Sequence, residues 1–257
     1  MKRLILIQND FASAGKTTLG RCLHQYLENY QVPHHLVVLT ESPDEVRGFA
    51  ALEADSLKLT SFIPHLDESD LVILEVETGM AELFNKFSEK NDLPSVLEAL
   101  GFDLVVAVPI TGESESYDGI TEAAEVFSDA AQYLIVHTPS STVYDQDKKR
   151  WEHSYSARVM DMFEAVDMEM PSTQHQLDRE LLHRHTDLAT TLQQSREEVE
   201  PCIQEEVQKW SRRVAAQLDT VRKYAFGDAF RPGVAITPPA GTHKRKPRAK
   251  ALVDSLD

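Results

Sequence analysis

Continuous apolar runs alternate with stretches in which apolar residues recur at steps of three and four. That alternation predicts the architecture of the first half of the chain. Leu4–Ile7 is short and wholly apolar, as a strand buried on both faces would be. Thr17–Glu28 follows as a helix, with Leu19, Cys22, Leu23, Tyr26 and Leu27 on one stripe. Leu36–Leu39 is the next strand, followed by a polar turn, ESPDE, that contains Pro43. Leu71–Val76 is a third, prepared by Glu68-Ser69-Asp70 and closed by Thr78-Gly79. A helix-rich stretch over Ala81–Leu100 leads to a fourth strand, Leu104–Ile110. A helix near Gly119–Ala131 then leads to a fifth strand, Tyr133–Val136, and a sixth is placed around Ala165–Met170. Strands separated by helical crossovers predict an α/β fold with a doubly wound, mostly parallel sheet.

Beyond Pro171 the pattern is helical. Pro201 is placed in the first turn of a helix, where its missing N–H costs nothing. After it, Ile203, Val207, Trp210, Val214, Leu218, Val221 and Ala225 form one apolar stripe. Such a stripe packs either on the sheet or a neighbouring helix, or against a second copy as a dimerising coiled coil. The expected organisation is an α/β domain over 1–172, a helical C-terminal region over 173–230 and a flexible tail over 231–257.

Composition narrows the classes. A chain of 257 residues, 42% hydrophobic, is long enough for one sizeable core. A net charge of −16 excludes a body that coats nucleic acid, because phosphates would repel it. Cys22 and Cys202 both fall in helical patterns and read as small buried hydrophobes in a reducing cytoplasm, without a disulfide framework. The N-terminal apolar run is too short for a signal peptide or a membrane span. The end of the chain, PPAGTHKRKPRAKALVDSLD, gathers Lys244, Arg245, Lys246, Arg248 and Lys250 and reads as a disordered basic arm. Contact with DNA through these residues would give a salt slope of only about −4.5. A solubilising arm, a peptide signal or an arm for an acidic protein partner fits the same charges.

The chemistry begins at LILIQNDFASAGKTTLGRCL, residues 4–23. A strand, a loop, then Gly15-Lys16-Thr17-Thr18 opening a helix is the context of a phosphate-binding loop (P-loop). Backbone N–H groups and the helix dipole favour negative charge at such a helix start. Gly15 allows close approach of backbone to phosphate, Lys16 reaches the outer phosphates, and the Thr17 hydroxyl is a ligand for Mg²⁺. The residues expected to line the nucleotide are Asp10, Phe11, Ala12, Ser13, Ala14, Gly15, Lys16, Thr17 and Thr18. The first glycine of G-x-x-x-x-G-K-[ST] falls here on Asp10, whose charge is tolerable only if it points away or faces the metal. A P-loop also needs an acid at a neighbouring strand end. Glu75 closes the strand in DLVILEVETG, with Glu77 on the same face; the competing reading is that both cap a strand end in water. Lys16 and Glu75 are the residues assigned to catalysis, Thr17 and Glu75 to the metal.

On these residues the chain resembles ParA/MinD-type P-loop NTPases of the SIMIBI class. Asn9, Gly15, Lys16, Thr17 and Thr18 match N-x-K-G-G-V-G-K-T-T. DLVVAVPITGESESYDGITEAAEVF followed by YLIVHTPSS resembles the TraL/StbB group of plasmid transfer and stability proteins, over roughly residues 1–145. The resemblance implies ATP with Mg²⁺, a protein partner, and a role in plasmid maintenance or conjugation. It also implies a homodimer around the nucleotide. Three departures bear on that. Phe11 replaces the lysine that reaches the partner's nucleotide, and Ala12 and Ser13 replace glycines. Glu75 replaces an aspartate. For the second strand's acid, Glu41 and Asp44 compete. His137 lies near where relatives carry a base-contacting asparagine, so a preference for adenine follows from the family alone. These changes point to slow hydrolysis or a binding-only switch.

Three functions remain open: a ParA-like NTPase of mobile DNA, a small-molecule kinase on the same loop, and a non-hydrolysing adaptor. Thr111–Ser116 is the candidate sensor of nucleotide state, since it ends a strand on the ligand side of the sheet. His175, His183 and His185 read as a solvated helix face, and His34-His35 as a loop before a strand.

Overall fold

The computed structural model describes residues 1–138, 144–173, 175–183, 188–193 and 200–233. Its centre is a seven-stranded sheet, every pair parallel, in the order β3-β2-β4-β1-β5-β6-β7. The strands are β1 (Lys2–Ile7), β2 (His35–Thr40), β3 (Ala50–Glu53), β4 (Leu71–Val76), β5 (Phe102–Ile110), β6 (Ala131–His137) and β7 (Val166–Glu169). The inner strands are buried almost throughout, which is why each appears as a continuous apolar run. β3 and β7 are short, partly exposed edges.

Helices cover both faces. One face carries α1 (Lys16–Asn29) and α10 (Pro201–Phe226), packed on Ile5, Ile7, Val105 and Ala107. The other carries α2 (Leu59–Asp67), α3 (Ala81–Asn91), α4 (Leu93–Ala99), α5 (Asp118–Phe127), α6 (Tyr144–Glu152) and α7 (Tyr155–Met162). Asp92, at φ 46°, divides the expected Ala81–Leu100 stretch into α3 and α4. α8 (His175–His183) and α9 (Leu188–Gln193) lie near the N-terminal half of α10, where Leu177 and Leu181 meet Ile203 and Val207.

Every residue of the predicted stripe on α10 is buried, and Pro201 stands in its first turn. Cys22 is buried as expected, but Cys202 is exposed, because it lies off that stripe beside Pro201. Three polar contacts fix its position: Trp210 Nε1 donates to Pro171 O at 2.7 Å, Tyr26 Oη to Asp219 at 2.6 Å, and Tyr224 Oη to Tyr133 O at 3.0 Å. The stripe is therefore spent within the chain rather than on a coiled-coil partner. No described helix is long and apolar enough to cross a membrane. The basic residues 244–250 and His185 lie outside the described residues.

Because β4 sits between β1 and β2, the ends of β1 and β4 adjoin where the chain leaves in opposite directions. Ligands of open α/β sheets bind at such carboxyl ends. Register puts Ile7 level with Glu75, so the acid that closes β4 stands beside the loop that leaves β1.

Candidate nucleotide site

The loop after β1 is built by its own backbone and one buried amide. Asn9, 2% exposed, donates through Nδ2 to Pro109 O and Ser116 O, both at 2.8 Å. Its Oδ1 accepts from Phe11 N at 2.9 Å. Asn9 thus joins the loop to the end of β5 and to the candidate sensor, Thr111–Ser116. Within that segment Ser116 is fully buried and its hydroxyl donates to Glu113 O at 2.6 Å. Arg150 of α6 donates to Gly112 O.

Asp10 resolves its own problem by turning away. Its Oδ1 accepts from Gly79 N at 2.9 Å and Ala81 N at 3.2 Å, so the carboxylate sits at the start of α3. A negative charge there is stabilised by the unpaired N–H groups and dipole of that helix. Phe11 is half-buried, and Ala12 and Ser13 are exposed. Ser13 adopts φ 62°, a left-handed conformation at a position where the ParA/MinD pattern has glycine. Ala14 is fully buried, and its carbonyl accepts from Thr138 Oγ1 at 2.9 Å.

Gly15 takes φ 96° and opens α1, and no side chain caps that helix. The left-handed angle disfavours any other residue, and an added Cβ would stand 3.0 Å from Thr138 Cγ2. The first N–H groups of α1 are left for an anion. Lys16 is 5% exposed; its Nζ donates to Asn9 O and, at 2.8 Å, to Thr78 Oγ1. Burial lowers its pKa, and Asp10, Glu75 and Glu77 oppose that shift. With two of its three N–H groups engaged, the ammonium bridges the loop mouth from β1 to the turn after β4.

Thr17 is exposed, and its Oγ1 donates to Glu75 Oε1 at 2.5 Å. Thr18 is half-buried one residue further along α1. Glu75 is 3% exposed, and its Oε2 is buried with no hydrogen-bond partner. Burial raises the pKa of Glu75, while the Thr17 bond, Arg21 and Lys16 pull it down. Arg21, one turn after Thr17 on α1, is buried with its guanidinium 3.6 Å from the Phe49 ring centre. Glu77 is exposed and accepts from Thr40 Oγ1, so it belongs to the end of β2 rather than to the loop. Glu41 and Asp44 are both exposed.

The hard oxygen donors Thr17 Oγ1 and Glu75 suit a small divalent cation, and the unpartnered Oε2 supplies the orphan buried atom such a group would satisfy. Sequence reasoning missed Thr78 and Thr138, which reach the loop across 62 and 124 residues of chain. Of the two, only Thr78, in the Thr78-Gly79 turn that closes β4, carried any local signal. His137 ends β6 with Nε2 2.5 Å from Asp167 Oδ1, its ring against Trp151. A cavity of about 810 Å³ opens on the outer side of α1, lined by Arg21, His24, Glu28, Arg47 and Phe49, away from the phosphate loop.

No protein-family model matches the chain, and no curated protein matches it. Among solved structures it is similar to the MinD cell division protein of Aquifex aeolicus, at 13% identity and a TM-score of 0.44, over 83% of this chain and 97% of that one. It is likewise similar to the MinC:MinD cell division protein complex of Aquifex aeolicus, at 13% identity and a TM-score of 0.42, over 83% of this chain and 96% of that one.

Proposed function

We propose that this chain is a ParA/MinD-type nucleotide-binding protein that takes up ATP with Mg²⁺ at the loop between β1 and α1. The observation that carries the proposal is the Thr17–Glu75 pair at 2.5 Å, an alcohol and a buried carboxylate set at the mouth of an uncapped helix. In that reading the N–H groups of Gly15, Lys16, Thr17 and Thr18 cradle the phosphates. Lys16 leaves Asn9 O and Thr78 Oγ1 to meet the outer phosphates, exchanging neutral acceptors for charged ones. Thr17 and Glu75 would hold Mg²⁺, which when bound neutralises charge on the outer phosphates.

Turnover is expected to be slow. Lys16 stabilises charge that develops on the leaving phosphates, but Phe11 supplies no second cation from this stretch. A nucleotide-state switch is the natural use of such a site. Asn9 would carry the state from the loop to Thr111–Ser116, and α6 would carry it outward through Arg150 to a protein partner. The likeness of DLVVAVPITG and its surroundings to TraL/StbB proteins supports a role in plasmid maintenance or conjugative transfer, in the cytoplasm. The chain could act as a homodimer, with any DNA contact left to Lys244, Arg245, Lys246, Arg248 and Lys250.

Thermal unfolding titrated with ATP–Mg²⁺ tests this in the wild type and Lys16→Ala. A ligand at about 100 times its Kd adds roughly 2.7 kcal/mol. The expected result is such a shift in the wild type, lost in Lys16→Ala. No shift in either protein would leave the non-hydrolysing adaptor as the better reading. Phosphate release only on adding a small acceptor would favour a kinase.

A further inference from the structure

At the C-terminal half of α1, apart from the phosphate loop, three side chains with metal-binding chemistry converge. His24 and Glu28 stand four residues apart, hence on one flank of the helix. After α1 the chain turns through Gln31, at φ 53°, and returns His34 to the same flank just before β2. His24 Nδ1 then lies 2.7 Å from His34 Nε2. One ligand atom from each of His24, Glu28 and His34 falls within 4.8 Å of the other two.

Tautomers follow from the surroundings. His34 Nδ1 lies 2.8 Å from Val32 O, and a carbonyl can only accept, so the proton of His34 sits on Nδ1. Its Nε2 therefore presents a lone pair toward His24. A second nitrogen held by a backbone carbonyl is the arrangement that orients imidazoles toward metals. His24 Nδ1 therefore donates to His34 Nε2 in the metal-free chain, and a metal ion between the two rings would take that proton's place, with the His24 proton moved to Nε2. Glu28 is exposed, and its carboxylate has no other partner among the described residues. A neutral histidine pair that merely closes the end of α1 would account for the 2.7 Å contact. It would not account for the carboxylate on the same flank or for the space beside it. That space is a cavity of about 420 Å³ lined by His24, Glu28, His34, His35 and Phe49.

We propose that His24, Glu28 and His34 form a site for a divalent transition-metal ion of the Zn²⁺ class, with a fourth position open to this cavity. The fit is close. Bonds of about 2.0 Å in a tetrahedron separate ligands by about 3.3 Å. The two imidazole nitrogens must then part by about 0.6 Å, and the carboxylate must close by at most about 1.5 Å. Both are side-chain rotations on a partly exposed flank. Two nitrogens and one oxygen favour Zn²⁺ and its neighbours over Mg²⁺, which prefers oxygen throughout. The site is therefore chemically distinct from Thr17 and Glu75. Arg21, whose charge acts on His24, opposes the cation.

The test uses the full chain stripped of metal by a chelator, titrated with Zn²⁺ by calorimetry and with Co²⁺ by visible absorption. The wild type should bind Zn²⁺ here, give the intense absorption of tetrahedral Co²⁺, and release neither to excess Mg²⁺. His24→Ala/His34→Ala should weaken that binding by more than the roughly 10- to 100-fold typical of losing an outer-shell partner, and should lose the Co²⁺ band. His183→Ala should change neither. If the double variant does not fold, Glu28→Gln on the exposed flank replaces it, with Zn²⁺ binding expected at least about 10-fold weaker. A wild type that takes up no Zn²⁺, displacement by Mg²⁺, or binding unchanged in these variants would overturn the proposal.

Discussion

An alanine at Gly20 separates the metal role of Glu75 from its part in stability. Gly20 lies inside α1, where replacing glycine by alanine ordinarily stabilises a helix by about 0.8–1.0 kcal/mol. Here the new Cβ would stand 2.9 Å from Glu75 Oε2 and 3.7 Å from Ile7 Cδ1. Non-bonded heavy atoms prefer about 3.5 Å or more, so the carboxylate must retreat by about 0.6 Å. Oε2 has no hydrogen bond to lose, but its retreat weakens the bond that Oε1 accepts from Thr17 Oγ1. Gly20→Ala should therefore fold normally, the helix gain offset by about 0.5–1.5 kcal/mol for the weakened bond, leaving stability within about 1 kcal/mol and Tm within about 4 °C of the wild type. The retreat also pulls Oε1 out of line with Thr17 Oγ1. Nucleotide affinity in Mg²⁺ should fall by about 10-fold, or 1.4 kcal/mol, while the weaker affinity in a chelator stays unchanged. Thermal unfolding and calorimetry with and without Mg²⁺ read both effects. A loss of more than about 1 kcal/mol in the nucleotide-free protein would show that the carboxylate cannot yield to the new Cβ. Unchanged Mg²⁺-dependent affinity would refute the metal role.

Asp10→Ala removes the acceptor for Gly79 N and Ala81 N and should cost about 0.5–2 kcal/mol in chemical denaturation, as loss of a helix cap does. If Asp10 faced the nucleotide instead, the same variant would leave stability intact and strengthen ATP binding. Ser13→Gly relieves a left-handed serine and should stabilise the chain by up to about 1 kcal/mol; a loss of stability would show that this turn differs in solution. Burial raises the Glu75 carboxyl pKa, so the folded chain holds that proton more tightly than the unfolded chain. The stability from this group is present below its ordinary value of about 4.5 and is lost as pH rises through the folded value. Glu75→Gln should flatten that decline in urea unfolding across pH 4–8, and an unchanged slope would contradict the assignment.

The inner strands declared themselves as apolar runs because both their faces are covered, and the long C-terminal helix because one face is. β3 did not: AALE is short, and only Leu52 is buried. α2 was hidden for a different reason, since it carries Pro64 in its interior. The loop from Gly15 to Thr18 could be read locally because backbone, dipole and side chains all come from one stretch. The orientation of Asp10 could not, because it depends on α3, roughly 70 residues away. Thr138 escaped notice for the same reason, and His34 because nothing local tells that a turn brings it back to His24.

A crystal of the full chain soaked with ADP and Mg²⁺ tests the central claim most directly. The account predicts a diphosphate over the N–H groups of Gly15–Thr18, with Lys16 swung from Asn9 O to the outer phosphate and a metal between Thr17 and Glu75. Lys16 still bonded to Asn9 O, with the nucleotide absent or seated in the cavity beside Arg47 and Phe49, would contradict it.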